Sequence, residues 1–398
     1  MNTNIRSGYI NEMTIREIEA KSILRKHKKI DSWFISHYGM NLYRGCTHNC
    51  VYCDGRSEGY YVDGEFGKDV AVKTNAIEIL RRELDPKRKR TPLKRSYIML
   101  GGGVGDSYQP AEKTYQLTRK ALQLICEHNF PVHMLTKSTL IERDIDILKK
   151  INEKNRAIVS FSFSSVDERI SAIFEPGVPS PTERLKTLAF FKNEGITCGM
   201  FLLPVIPFVT DTEKLIEDAI RKANEVDIDF IIFGGMTLKD GKQKDYFFNV
   251  LKNYYPNLIP EYQKIYIGNK WGQASGEYYY SLNLRFRKIA KKYGIPIRIP
   301  PTLYKDILSE NDLVIVMLEH LDYLLKLEGK SSPFGHAAYS ISQLKTPLST
   351  MKGELRKLKG VGRTTEGIIL EILETGSSSY CEKLLKGDEQ KIRLEQDI

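Results

Sequence analysis

Cys46, Cys50 and Cys53, three of the six cysteines, fall within eight residues, in the run Tyr43-Arg44-Gly45-Cys46-Thr47-His48-Asn49-Cys50-Val51-Tyr52-Cys53. Thiols at this spacing read as metal ligands. Three clustered thiols cannot pair off among themselves, and the start of the chain does not read as an export signal. A tetrahedral zinc site needs a fourth donor, and His48 is the only local candidate. An iron–sulfur cubane held by three thiolates instead leaves one iron open to a ligand from outside the chain. The spacing favours the cluster over a zinc knuckle.

A reactive cluster needs elements to position it, and the sequence supplies a regular alternation. Helical spacing runs over 75–84, with Ile77, Leu80 and Leu84 on one face. Strands are expected at 39–43, 96–101, 131–136, 157–163, 197–203 and 228–233, with helices near 111–127, 142–153, 182–194 and 212–225. Six βα units imply parallel strands joined by right-handed crossovers, with chemistry at the strands' C-terminal ends. The expected fold class is therefore α/β, a partial (β/α)6 TIM-like barrel. At 398 residues the chain has room for two or three domains. We divide it into a basic N-terminal extension at 1–36, packed outside the barrel, the barrel at 37–300, a helical connector at 301–330 and a C-terminal module at 331–398. Hydrophobic residues make up 41% with no apolar run of transmembrane length, so a soluble protein with no membrane partner is expected. Cysteines without an export signal point to the cytoplasm. The net charge of +10 favours a polyanionic partner, as does the basic run from Lys87 to Arg95, although such runs are usually solvated surface.

The strand ends carry the remaining candidates. After the second strand comes Gly101-Gly102-Gly103-Val104-Gly105-Asp106-Ser107-Tyr108-Gln109-Pro110, where glycine lets a backbone approach a ligand closely. Thr136-Lys137-Ser138 and then Arg143-Asp144 follow the third strand. Ser160-Phe161-Ser162-Phe163-Ser164 turns hydroxyls to one face of the fourth. Glu175-Pro176-Gly177 leads into a helix carrying Arg184, and the fifth strand ends in Leu203-Pro204-Val205-Ile206-Pro207. Singly, each of these is an ordinary loop or a solvated side chain.

Together they resemble the spore photoproduct lyase-like family of the radical S-adenosylmethionine (SAM) superfamily. That family shows the same Tyr-Arg-Gly-Cys entry, Asp-x-Tyr-Gln-Pro, Thr-Lys-Ser with a following Arg-Asp, and Glu-Pro-Gly leading to Arg-Leu, in this order. The resemblance spans roughly residues 40–300. It implies that Cys46, Cys50 and Cys53 bind a 4Fe–4S cluster whose open iron takes SAM, which reductive cleavage converts to a 5′-deoxyadenosyl radical. It further implies that Gly102 and Gly103 border the SAM amino group, that Lys137 meets its carboxylate with Arg184 assisting, and that Ser162 holds the ribose. An electron donor such as flavodoxin or ferredoxin is implied as a partner. Two departures matter. The family's hydrogen-returning cysteine falls on Gly103, and the tyrosine after the last cluster cysteine is Asp54. The catalytic candidates left are Tyr52, which is retained, with Tyr108 and Cys198; Tyr97 is a further phenol, and a strand cysteine such as Cys198 is more often packing.

The tail carries a second pattern. Leu355-Arg356-Lys357-Leu358-Lys359-Gly360-Val361-Gly362-Arg363 precedes the apolar run Ile368-Ile369-Leu370. Two helices joined by Gly-Val-Gly have the form of a helix-hairpin-helix, which binds a DNA phosphate without reading sequence. Residues 333–386 resemble the small N-terminal domain of X-family DNA polymerases, where some members use a lysine nucleophile; that position is Ile368. The resemblance implies a DNA grip at Lys359, Gly360, Val361, Gly362 and Arg363, and no lyase; a plain helical lid is the alternative. The expected function is a radical SAM lyase repairing a DNA lesion such as a thymine photoproduct. A radical SAM enzyme modifying RNA or a protein, and a non-catalytic iron–sulfur nucleic-acid-binding protein, are the alternatives.

Overall fold

The computed structural model describes residues 13–60, 64–89, 91–268 and 270–386. Its strands in chain order are β1 (Thr14–Ile18), β2 (Leu24–Asp31), β3 (Ser36–Met40), β4 (Tyr43–Arg44), β5 (Asp69–Lys73), β6 (Tyr97–Leu100), β7 (Val132–Thr136), β8 (Ala157–Phe163), β9 (Thr197–Val205) and β10 (Phe230–Gly235). Seven of them form one curled sheet in the order β10-β9-β8-β7-β6-β3-β2. The six from β3 to β10 pair in parallel, as the alternation requires, and β2 runs antiparallel to β3 at the edge. A three-stranded sheet, β1-β5-β4, lies beside the entry to the cysteine loop.

The local chemistry explains the elements. Parallel strands covered on both faces must be apolar throughout, and every residue of β8 is buried. The helix Pro181–Asn193 starts where Ser180 and Glu183 close a capping box with proline in the first turn. The helix expected at 111–127 is broken: Gln116 adopts a left-handed conformation and separates Glu112–Tyr115 from Leu117–Glu127.

The N-terminal segment does not lie outside the barrel. Its basic residues Arg25, Lys26, Lys28 and Lys29 sit on β2, the seventh strand. The turn after β2 carries Trp33 and Phe34, and Phe34 stacks on Phe201 of β9 with ring centroids 5.5 Å apart. Short-range polarity in the sequence hid a strand whose inward partners come from far along the chain. Residues 1–12 lie outside the described residues.

The tail packs directly on this base. The helix Glu310–Leu327 is buried through the run Leu313 to Leu318 and shares one continuous core with the barrel. His320 donates from Nε2 to the Ser32 carbonyl at 2.8 Å. The buried guanidinium of Arg298 lies between the rings of Trp33 and Tyr323, at 4.3 and 3.5 Å from their centroids. The helices Phe334–Ser342, Arg363–Thr375 and Ser379–Lys386 complete the module. Before Gly360 the first arm of the expected hairpin is a short 3-10 turn, Leu355–Lys357.

Candidate functional site

A cavity of about 440 Å³ opens at the C-terminal ends of the parallel strands. Cys46, Cys50 and Cys53 form one part of its wall, and Gly102 and Gly103 after β6, Lys137 after β7 and Ser162 near the end of β8 form another. Trp33 and Phe34, from the segment placed outside the barrel by its sequence, line it as well.

The motifs that surround the cysteines are the struts of their loop. Gln109 donates from Nε2 to the Gly45 carbonyl at 3.1 Å and accepts from the Thr47 amide at 3.2 Å. Asp106 accepts from the Thr136 hydroxyl at 2.7 Å and the Lys137 amide at 2.8 Å, so it pins the end of β7 to the loop after β6. Tyr43 donates to Glu112, which Arg143 and the Thr118 amide also hold. The Val51 amide bonds the Phe174 carbonyl at 2.8 Å, and the Gly177 amide bonds the His48 carbonyl at 3.1 Å. Any Cβ at position 177 would stand 2.6 Å from the Thr47 carbonyl oxygen, which explains the glycine of Glu-Pro-Gly. Gly101 has φ +86, and a Cβ there would stand 1.8 Å from the Leu135 carbonyl oxygen. Arg56, which no motif marked, clamps the same loop by donating to the carbonyls of Cys50 at 3.2 Å and Asn49 at 3.3 Å.

This donor set fits a cluster better than a single ion. Among the described residues no three His, Cys, Asp or Glu side chains converge as the ligands of one metal. His48 turns its Nδ1 to Asp106, 3.4 Å away, instead of completing a zinc site. Three thiols spread along one wall suit a cubane, in which each thiolate meets a different iron. Burial is the main cause that pushes all three thiols up, Cys50 to about 12. Coordination reverses that cost, because a bound metal takes the thiolate form.

Behind the wall, Glu175 is the electrostatic centre that holds Lys137 and Tyr52. It is fully buried and accepts from Tyr52, from Lys137 Nζ at 2.9 Å, from Arg184 at 2.6 Å and from Ser171 at 3.1 Å. Burial alone would raise its carboxyl, but the Arg184 and Lys137 charges outweigh burial and hold it well below the usual carboxylate range. Lys137 also donates to Ser162 at 2.8 Å, and Ser162 donates to the Leu203 carbonyl at 2.9 Å. In the sequence Glu175 stood within a motif and carried no role. Its signal was an acid three of whose four partners, at positions 52, 137 and 184, were already named.

The other named residues divide cleanly. Arg184 is not at the cavity wall; its guanidinium donates to the Ser162 carbonyl at 2.7 Å and to Glu175, so it acts through them. Tyr52 lines the cavity with its hydroxyl committed to Glu175. Tyr108 lies behind the wall, its hydroxyl on Asp144 at 3.0 Å, and Tyr97 donates to the Leu303 carbonyl at 2.6 Å. Cys198 is buried in β9 with its thiol toward the carbonyls of Leu188 and Ile196, on the helix side of the sheet. Neither Tyr108 nor Cys198 is brought to the cavity.

In the tail, Lys359, Gly362 and Arg363 are exposed and Val361 is buried. Gly360 has φ +88, and a Cβ there would stand 2.5 Å from the Ala337 amide nitrogen, so only glycine fits. No side chain caps the helix Arg363–Thr375 at Gly362, which leaves its first amides open. Ile368 is buried in the core.

The model of the radical SAM superfamily matches residues 40–222, and that of a helix-hairpin-helix domain matches residues 309–378, which takes in the helix Glu310–Leu327. An uncharacterised protein of Methanocaldococcus jannaschii is 30% identical over 234 residues, 58% of this chain and 80% of that protein. An uncharacterised protein of Mycobacterium tuberculosis is 28% identical over 267 residues, 66% of this chain and 76% of that protein. Among solved structures, spore photoproduct lyase complexed with dinucleoside spore photoproduct superposes with a TM-score of 0.53 at 17% identity, over 71% of this chain and 80% of that one. A doubly substituted mutant of spore photoproduct lyase with bound AdoMet and dinucleoside spore photoproduct gives 0.51 at 17% identity, over 74% and 85%. At that identity the likeness shows the fold. With the three-cysteine loop on a six-stranded parallel barrel and the match in sequence, the chain belongs to the radical SAM superfamily, whose members use a 4Fe–4S cluster and SAM.

Proposed function

We propose that this protein is a radical SAM enzyme that acts on DNA and repairs a lesion such as a thymine photoproduct. The observation that carries the reading is the joining of the cavity and the helix-hairpin-helix module through one core, with Trp33 shared between the cavity wall and the Arg298–Tyr323 stack. When bound, the cluster and SAM supply a 5′-deoxyadenosyl radical that takes a hydrogen atom from the substrate. The chain's own residues bind and orient. Cys46, Cys50 and Cys53 hold the cluster, and Arg56 and Gln109 fix their loop. Lys137 gives two of its three donors to Ser162 and Glu175, which leaves one for a ligand carboxylate. Glu175 and Arg184 keep that ammonium in place. Glycines 102 and 103 leave the backbone bare for a ligand ammonium. Lys359, Arg363 and the open amides after Gly362 take a DNA phosphate, and a damaged base costs less to extrude into the cavity than a paired one. The chemistry requires a reducing compartment, which the cytoplasm provides.

The reading is tested with the reconstituted, reduced protein, by following 5′-deoxyadenosine with duplex DNA, RNA or no nucleic acid. Release stimulated by DNA and a mobility shift with DNA are expected. Stimulation by RNA alone would move the substrate class to RNA, and no 5′-deoxyadenosine under any condition would leave a structural cluster.

A further inference from the structure

The cavity has a second polar group, away from Lys137 and Glu175, that the proposed SAM contacts do not use. It is built on Asp54, the residue that stands where the family has a tyrosine. Asp54 Oδ1 accepts from the Thr237 hydroxyl at 2.7 Å and from Gln243 Nε2 at 3.2 Å, and its Oδ2 accepts from Lys239 Nζ at 2.9 Å. Gln243 is fully buried and holds the arrangement rigid, because its amide also bonds the Tyr52 carbonyl at 2.9 Å, the Thr237 carbonyl at 3.0 Å and the Lys239 amide at 2.9 Å. Asp54, Thr237 and Tyr60 line the cavity, and the partly exposed Lys239 brings its ammonium to that wall through Asp54. Tyr60 is 42% exposed, and Lys239 Nζ lies 5.2 Å from the centre of its ring.

Counting donors and acceptors shows what this group can still bind. Lys239 has three protons and gives one to Asp54. Asp54 Oδ2 takes one bond and keeps a lone pair. A free donor therefore sits beside a free acceptor, next to an aromatic face. An N–H adjacent to a carbonyl in a flat ring satisfies both at once, while the ring lies against Tyr60. That is the lactam edge of a nucleobase. An ammonium suits a carbonyl oxygen, and a carboxylate suits the acidic lactam N–H better than the amine of an amidine edge.

The geometry points to Asp54 and Lys239, backed by Gln243 and flanked by Tyr60, as the set that reads the lactam edge of an extruded base in the cavity. This rests on the nucleic-acid reading above. It also accounts for the departure at position 54, where recognition of the base takes the place of a relay phenol.

The experiment uses the reconstituted full chain with SAM under anaerobic conditions and labelled single strands that differ at one central position. Thymine, N3-methylthymine, adenine and an abasic site are compared by fluorescence anisotropy. The thymine strand should bind about tenfold tighter than the N3-methyl and abasic strands, as one well-made bidentate contact gives. In Lys239→Met and Asp54→Asn that ratio should fall to about one, with iron content and SAM affinity at wild-type levels. Lys239→Met decides alone if Asp54→Asn, next to Cys53, loses iron. Equal binding of all strands by the wild type, a ratio retained in Lys239→Met, or preference for adenine overturns the assignment and leaves the nucleic-acid reading standing. Failure to bind any strand, the abasic one included, overturns the nucleic-acid reading and this inference with it.

Discussion

On the proposed function, the cavity and the helix-hairpin-helix loop share one task, holding anionic or polar ligand groups, and are built for it by opposite means. The cavity wall and the residues behind it bring charged groups together from positions 54, 137, 175 and 239 and pair them, Lys137 with the buried Glu175 and Lys239 with Asp54. The tail uses five consecutive residues, 359–363, and leaves the charges of Lys359 and Arg363 in water. Charges taken out of water must be paired, and removing one partner is costly. Exposed charges bound to phosphate are lost singly with small effect and are strongly screened by salt. Substitutions in the cavity should therefore act all-or-none, and those in the tail by degrees.

The largest effect is expected at the cluster loop. Cys53→Ala should abolish SAM cleavage and lower bound iron, read by 5′-deoxyadenosine release and iron analysis; undiminished cleavage would remove the cysteines from the site. Next comes Glu175→Gln, which leaves Arg184 buried without a countercharge. It should destabilise the fold by about 3–5 kcal/mol, measured by denaturant unfolding. A loss no larger than that of Lys359→Ala would erase the contrast between the two regions.

Acid should then act on the barrel and the tail brace together. Burial lowers His133 to about 4, and burial with the Arg298 charge lowers His320 to about 3, both from an ordinary value of 6.5. Depressed folded values mean that protonation opposes folding. Stability should be full above pH 6.5 and fall as the pH drops toward those lower values, by on the order of 3 kcal/mol for His133 and on the order of 5 kcal/mol for His320. His320→Gln should flatten part of that slope, and an unchanged slope would exclude its contribution. The smallest effect is expected at the surface. Lys359→Ala should weaken DNA binding uniformly and reduce the salt slope by about one; an unchanged slope would take Lys359 out of the phosphate contact.

The contrast also explains what could be read from the chain. The tail loop was legible because its parts are adjacent. The cluster cysteines and six parallel strands were legible because their spacing and periodicity are local. Glu175 was visible only as a motif letter, since its meaning lies in partners brought together by folding. Gln243 and Lys239 carried no local signal at all. Trp33 and Phe34 were assigned to an outer extension because the basic strand before them masked its pairing with β3. The same long-range packing makes removal of the tail a poor test of DNA binding. The helix Glu310–Leu327 would lose the helices that cover it, so point changes at 359–363 are cleaner.

The central claim is tested most directly by anaerobic turnover on damaged DNA. The reconstituted, reduced protein would be given SAM with and without UV-irradiated DNA, and 5′-deoxyadenosine and thymine products followed by mass spectrometry. Restored thymine, dependent on both SAM and the irradiated strand, is the predicted result. Abundant 5′-deoxyadenosine with the lesions unchanged would keep the radical chemistry and contradict lesion repair.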